Sequence, residues 1–282
     1  MTAPRLFDRQ LERLRRRRNP PCLPEIFAQR LIEDTLDRLA LIKRPFSRVL
    51  VCGPFASTIG PALGAEDRFI VTETLDLLLE LESLPFAEAS LDCIICVLGL
   101  ETVNDLPGTL IQMRRALNPD GLLLASLFAG GTLNELRAAW LEAEEELRGG
   151  ASLRVAPFAD IRELGTLLQR AGFALPVTDI DRTTLRYPSA LALMRELKAL
   201  GFAAPLQNRS RTPVTAGLLA RAATAYERKF ADPDGRVRAT VDVAWLTGWA
   251  PHESQQQPLK PGSARMRLAE ALKVDEKPLK RD

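Results

Sequence analysis

Apolar positions along the chain fall into short continuous runs separated by stretches of helical spacing. Arg48-Val-Leu-Val-Cys-Gly53 is an apolar run closed by glycine and followed by Pro54, which predicts a strand ending in a loop. Arg68 to Glu73 predicts a second strand. Leu91 to Leu98 predicts a third, continuous enough to be buried on both faces, as a parallel sheet requires. Leu106, Leu110, Met113 and Leu117 then recur at helical spacing with Pro107 in the first turn, and Asn118-Pro-Asp-Gly121 is a turn. Leu122 to Phe128 predicts a strand, followed by two glycines and a helix. Thr132 and Glu135 are read as its T-x-x-E capping box, with Leu133, Leu136, Trp140 and Leu147 on one face. Ile161, Leu164, Leu168 and Ala171 mark a helix ended by Gly172, and Ala174 to Asp179 is a strand candidate.

After Asp181 the rhythm changes. Helical stretches at Pro188 to Leu200 and Val214 to Phe230 precede the turn Asp232-Pro-Asp-Gly235 and a final strand from Val237 to Trp249. A strand returning after a helical insertion is expected at the sheet edge, antiparallel to its neighbour. Right-handed crossovers between the earlier strands put helices on both faces of a mostly parallel sheet. The predicted fold is therefore α/β. Its organisation is a helical extension at 1–45, an α/β domain at 46–255 with the insertion near 188–230, and a polar tail at 256–282.

Composition narrows the classes of function. Lys plus Arg number 38 and Asp plus Glu 36 in 282 residues, so a net charge of +2 provides no global field for nucleic acid. The one dense cationic run, Arg13 and Arg15 to Arg18, is interrupted upstream by Asp8 and Glu12 and lacks the apolar core of a secretory leader. Charged residues break every apolar stretch before it reaches membrane-span length, and the expectation is a cytosolic protein. Cys93 and Cys96 form a C-x-x-C, but residues three apart on a strand face opposite sides of the sheet, so both are assigned to the core rather than to a metal. His252 is the only histidine.

Several stretches carry a family likeness: Leu6-Phe-Asp-Arg9, Leu84-Pro-Phe86, Val103-Asn-Asp-Leu-Pro107, Leu117-Asn-Pro-Asp-Gly121 and Phe128-Ala-Gly-Gly-Thr-Leu-Asn-Glu-Leu-Arg137. Pro157-Phe158, Leu164-Gly165, Arg170-Ala-Gly-Phe173, Tyr187-Pro188, Gly248-Trp249 and His252-Glu-Ser254 continue it in order over most of the chain. On these the sequence resembles the methyltransferase-like family of the mitochondrial complex I assembly-factor arginine hydroxylase and its bacterial relatives. It is more distantly similar to the malonyl-carrier-protein methyltransferases of biotin synthesis. The resemblance implies a Rossmann-like class I methyltransferase fold, a mostly parallel seven-stranded sheet with an antiparallel edge strand. It also implies S-adenosylmethionine bound at the carboxyl ends of the first strands, which agrees with the crevice rule for open α/β sheets.

In the wider superfamily the first strand ends in an acidic residue and a D-x-G-x-G-x-G loop. Here the loop reads Val51-Cys-Gly-Pro-Phe-Ala-Ser57, with Val51 in place of the acid and only the first glycine kept. The stretch from Gly53 to Leu84 is also shorter than in relatives, so a helix or strand of the cofactor half is expected to be reduced. By resemblance the cofactor residues are Cys52 and Gly53, Glu73 for the ribose, Glu80 or Glu82 near the adenine, and Val97 and Leu98 at the end of the third strand. The acceptor side implied by the resemblance comprises Asn104, Asp105, Thr132, Glu135, Arg137 and His252.

Three functions fit these residues. One is methyl transfer from S-adenosylmethionine to an unknown, possibly protein, acceptor. A second is hydroxylation of an arginine on a respiratory-complex subunit. A third is an assembly or binding protein without catalysis. Nucleic acid and a membrane span are not expected.

Overall fold

The computed structural model describes residues 5–18, 23–71, 81–150, 152–200 and 205–256. Two helices open the chain, α1 (Arg9–Arg18) and α2 (Glu25–Ala40). β1 (Arg48–Cys52), the short α3 (Ala56–Ala62), β2 (Asp67–Val71) and β3 (Leu91–Val97) follow. Next come α4 (Leu106–Ala116), β4 (Leu117–Phe128), α5 (Asn134–Arg148), α6 (Ile161–Arg170) and β5 (Ala174–Tyr187). α7 (Ala190–Ala199), α8 (Ala216–Phe230) and β6 (Val237–Trp249) complete the order. The chain divides at Pro251 into a body of residues 1–251 and a C-terminal unit beginning at His252.

The six described strands lie in the order β2-β1-β3-β4-β6-β5. The first four are parallel, and β6 is antiparallel to both of its neighbours. Two expectations are corrected here. The sheet has six strands rather than seven among the described residues, and it ends at β2. The final strand, expected at the edge, instead lies inside the sheet. Val241 to Leu246 are buried on both faces, whereas the true edge strand β5 alternates partly buried and exposed positions over most of its length.

Helices cover both faces. Leu110 and Met113 of α4 and Leu164 and Leu168 of α6 pack on one side of the sheet, while Phe27 and Leu31 of α2 and Ile59 of α3 pack on the other. α5, α7 and α8 form a third cluster with Tyr187, Val237 and Ala239. Cys93 and Cys96 divide between the two faces as their spacing predicts; burial pushes the Cys93 thiol up from its ordinary value, and the hydrogen bond with Cys52, with burial added, pushes up that of Cys96.

Local signals hold with three exceptions. α4 begins on Asp105, whose carboxylate accepts from Gly108 N–H at 2.9 Å. Asn118-Pro-Asp-Gly121, expected as a turn, is instead a bulged part of β4: Leu117 pairs with Leu91 and Leu122 with Cys93, so the intervening residues bulge out, with Asp120 in the left-handed region at φ 62°. The capping box assigned to Thr132 and Glu135 is not formed, because α5 starts at Asn134 after Leu133 at φ 52°, with no side-chain cap. Leu147, expected on the buried face of α5, is 54% exposed; Ala139 and Ala143 pack there instead. The capping box of this region is Asp160 with Glu163, at the start of α6.

A candidate functional site at the strand ends

At the carboxyl ends of β1, β3 and β4 the chain surrounds a cavity of about 420 Å³, within the roughly 300–1,000 Å³ typical of small-molecule sites. Its walls are mostly aromatic and aliphatic: Phe27 from α2, Pro54 and Phe55 from the turn after β1, Leu98 after β3, Phe128 at the end of β4, and Phe158. The Phe128 and Phe158 rings meet edge to face with centroids 6.1 Å apart. Tyr187 completes a wall, and its hydroxyl is pushed up to about 12 by burial and the nearby Glu196, so it stays a neutral donor at neutral pH.

Charge is placed around these walls by named partners. Glu12 of α1 is buried, and its carboxylate accepts from Thr102 Oγ1 at 2.5 Å and from Arg9 Nη1 at 2.6 Å. Glu101 Oε1 accepts from Phe128 N–H at 3.3 Å. Arg154 reaches the cavity with its guanidinium on buried Glu144 and 5.4 Å from the Trp140 ring. Burial and the nearby Arg209 draw the Arg15 guanidinium below its ordinary value. Two carboxylates and two guanidiniums thus share the lining of one apolar chamber.

Of the acceptor residues named from sequence, Thr132 lines this cavity, and its hydroxyl donates to the Asp242 carbonyl at 3.0 Å and accepts from Asp242 N–H at 3.1 Å. Glu135 is buried and accepts from Thr240 N–H and Thr240 Oγ1. Thr132 therefore stitches the Gly130-Gly131 turn to β6, and Glu135 stitches the first turn of α5 to it. Arg137 donates to the Ala156 carbonyl at 3.1 Å and braces the wall that leads to Phe158. Asn104 holds the main chain of Phe7, and Asp105 caps α4. His252 belongs to the C-terminal unit, where its Nδ1 lies 2.7 Å from Ser254 Oγ.

The cofactor residues are placed differently. Cys52 is buried, with its thiol donating to the Ile95 carbonyl at 3.5 Å. Gly53 has φ 105°, and a Cβ there would lie 2.1 Å from the Val97 carbonyl oxygen. This glycine serves the close approach of two strand ends, not an open cradle. Val97 is buried beneath it, and Leu98, at φ 51°, donates its N–H to Ser126. Glu82 accepts from Asn104 N–H at 2.7 Å, so its carboxylate holds a loop. Glu73 and Glu80 lie outside the described residues. Pro54 offers no N–H, Val51 no carboxylate, and α3 behind them spans only seven residues. The described turn thus lacks the acidic residue and the later glycines of the D-x-G-x-G-x-G loop.

Sequence reasoning assigned no site role to Glu12, Arg15, Phe27, Glu101, Thr102 and Arg154, which line the cavity. A signal existed for part of it, because Leu6 to Arg9 and Pro157-Phe158 stood out although they fit no periodic element. Among the described residues no cluster of three His, Cys, Asp or Glu could hold a metal, and no helix is long and apolar enough to cross a membrane.

Comparison with known proteins gives this geometry a setting. Residues 25–204 match the model of the methyltransferase domain. The human mitochondrial arginine-hydroxylase NDUFAF5 is 33% identical over 298 residues, covering 97% of this chain and 86% of that protein. The Danio rerio arginine-hydroxylase is 37% identical over 193 residues, and the match spans 60% of its length. A malonyl-[acyl-carrier protein] O-methyltransferase of Halorhodospira halophila is 34% identical over 187 residues, with 61% of its length matched. A crystal structure from Bacillus halodurans C-125 assigned to the methyltransferases superposes with a TM-score of 0.50 at 16% identity, covering 78% of this chain and 98% of that one. This likeness bears on the fold alone. The relatives that match nearly the whole chain are mitochondrial proteins, which overturns the expectation of a cytosolic location.

Proposed function

The chain belongs to the methyltransferase-domain family, on the branch that holds the arginine hydroxylases, and from that premise we propose that it modifies an arginine side chain of a protein, received in the cavity at the ends of β1, β3 and β4. The carrier we assign is a subunit of a respiratory complex, the partner class implied by the family resemblance. One observation carries the reading: the cavity is lined by aromatic walls and the carboxylates of Glu12 and Glu101 together with the guanidiniums of Arg15 and Arg154, and Arg154 already rests on a carboxylate and an aromatic ring there. A guanidinium is attracted to the face of an aromatic ring and to carboxylates, and it is less strongly hydrated than an ammonium. The protein already uses this pairing internally, with Arg38 4.5 Å from the Trp245 ring and bonded to Asp179.

The chain's own residues divide the work. Phe27, Phe55, Phe128 and Phe158 exclude water and flatten the space in which a planar group fits. Arg137 and the Thr132 and Glu135 bonds to β6 keep those walls in place. Tyr187 supplies a hydroxyl that remains protonated.

A second reading is methyl transfer from S-adenosylmethionine, and what favours it is that Pro54, Phe55 and Leu98 line the cavity without filling it. Tandem mass spectrometry of a respiratory-complex subunit after incubation with the protein in bacterial extract separates the two. Gain of one oxygen atom on an arginine, with dioxygen as oxidant and a two-electron reductant of the aerated extract carrying the second oxygen atom to water, is expected from the kinship with the hydroxylases; gain of a methyl group supports the second reading. An unmodified subunit that still binds would leave a docking protein without catalysis. Calorimetry with S-adenosylmethionine is expected to show weak heat or none, and tight binding would overturn the reading of the turn after β1.

A further inference from the structure

Residues 6–8 are held in the way a protein holds a bound peptide. Phe7 N–H donates to Asn104 Oδ1 at 2.8 Å, and the Phe7 carbonyl accepts from Asn104 Nδ2 at 3.2 Å. On the opposite edge Asp8 N–H donates to the Pro205 carbonyl at 2.7 Å and Gln207 N–H to the Leu6 carbonyl at 2.9 Å. Phe7 is thereby bridged in antiparallel fashion to Leu206. All four bonds are made to the main chain of residues 6–8, so none depends on their side chains. Any extended segment offers the same groups, which is how strand addition gains affinity without sequence readout.

The side chains add a pattern. Phe7 is buried against Ala156, Phe158 and Leu206. Two residues later Arg9 Nη1 donates to Glu12 at 2.6 Å and to Thr102 Oγ1 at 2.9 Å. Phe158, Glu12 and Thr102 all line the cavity. Arg9 Nε is buried with no hydrogen-bond partner, so the guanidinium is held from one side of its fork only. An aromatic anchor followed by an arginine beside the chamber is the layout that an arginine-bearing substrate would present.

We propose that residues 6–9 occupy the docking groove of the protein substrate. An extended segment with a large apolar residue two places before its arginine displaces them and takes over the bonds to Asn104 and to residues 205–207. The inference rests on the arginine reading given under Proposed function. Because the groove is already filled by the chain itself, the apparent affinity for a substrate is lowered by the fraction of time the segment is docked.

Fluorescence anisotropy with a labelled peptide containing Phe-x-Arg, read on the full chain, tests this. Phe7→Ala is expected to tighten the peptide by roughly tenfold, since it weakens the competitor and leaves the groove intact. In the unaltered chain, saturating peptide is expected to strip hydrogen-exchange protection from Phe7 and Asp8 N–H, while Gln207 N–H, given a new acceptor, keeps it. Protection retained at Phe7 and Asp8 overturns the proposal, as does a folded Phe7→Ala protein that binds no tighter. If Phe7→Ala fails to fold, the exchange result decides alone. A peptide with leucine in place of its arginine separates the premises: equal displacement by it keeps the groove and removes the arginine reading, and failure of both peptides to bind removes the groove.

Discussion

β1 and β2 span five residues each, whereas β4, β5 and β6 run for 12, 14 and 13. The two halves of the sheet also hold their loops differently. On the β1 side, the turn at Gly53 is fixed by main chain packed against main chain, with the Val97 carbonyl in the space of a Cβ. On the β4–β6 side, the turn at Gly131 is fixed by side chains. Asp242 is buried, paired with both Arg182 nitrogens Nε and Nη2, and a Cβ on Gly131 would lie 2.0 Å from its Oδ2. The lesson is that a glycine in a methyltransferase-like turn can be required by strand packing alone. Gly53 therefore gives no support to an intact cofactor cradle, although the family resemblance places it there.

The sharpest break of this comparison is Gly53→Ala. The new methyl meets immobile backbone at a φ of 105°, and clash plus strain are expected to cost about 3 kcal/mol or more. Urea denaturation measures it. Gly131→Ala meets a carboxylate instead, and a smaller loss of about 1–2 kcal/mol is expected because a side chain can shift. Asp242→Ala in the same chain should make the second methyl nearly free, so the two changes are expected to be strongly non-additive. Additive losses would show that Gly131 is constrained by something other than Asp242.

The smallest effect concerns the wall that carries Arg154. Glu144 is buried, and although burial pushes its carboxyl up, bonds from Ser152 Oγ, Ser152 N–H and Arg154 outweigh it and hold the group below its ordinary value of 4.5. A carboxyl depressed in the folded state contributes stability that is full above the unfolded value and is lost as pH falls through the depressed one. Glu144→Gln is therefore expected to flatten the acid limb of the stability curve below about pH 4.5. An unchanged acid limb would mean that the bonds to Ser152 and Arg154 do not persist in solution.

What was legible in the sequence follows from how local each cause is. β1, β3 and β6 were readable because buried strands are dense in apolar residues, and the split of Cys93 from Cys96 follows from the period of two. β5 was cut short at Asp179 because an edge strand with one solvated face carries Asp181, Arg182, Thr184 and Arg186, which read as loop. Thr132 and Glu135 were misassigned as a cap because their partners, Asp242 and Thr240, lie more than a hundred residues away. The same distance problem hid the role of Asn104: its partner Phe7 joins it only through the fold. The cavity combines α1, α2, three strand ends and the segment at 154–158, and no local spacing brings these together.

The claim on which the functional reading stands is that an arginine side chain enters the chamber between Phe27, Phe128 and Phe158. A substrate peptide carrying a photoreactive group at the arginine position, crosslinked to the full chain and mapped by mass spectrometry, addresses it most directly. Label on those phenylalanines, or on Leu98 or Thr132 beside them, is the expected result. Label confined to surface residues away from the strand ends, from a peptide that binds saturably, would contradict it.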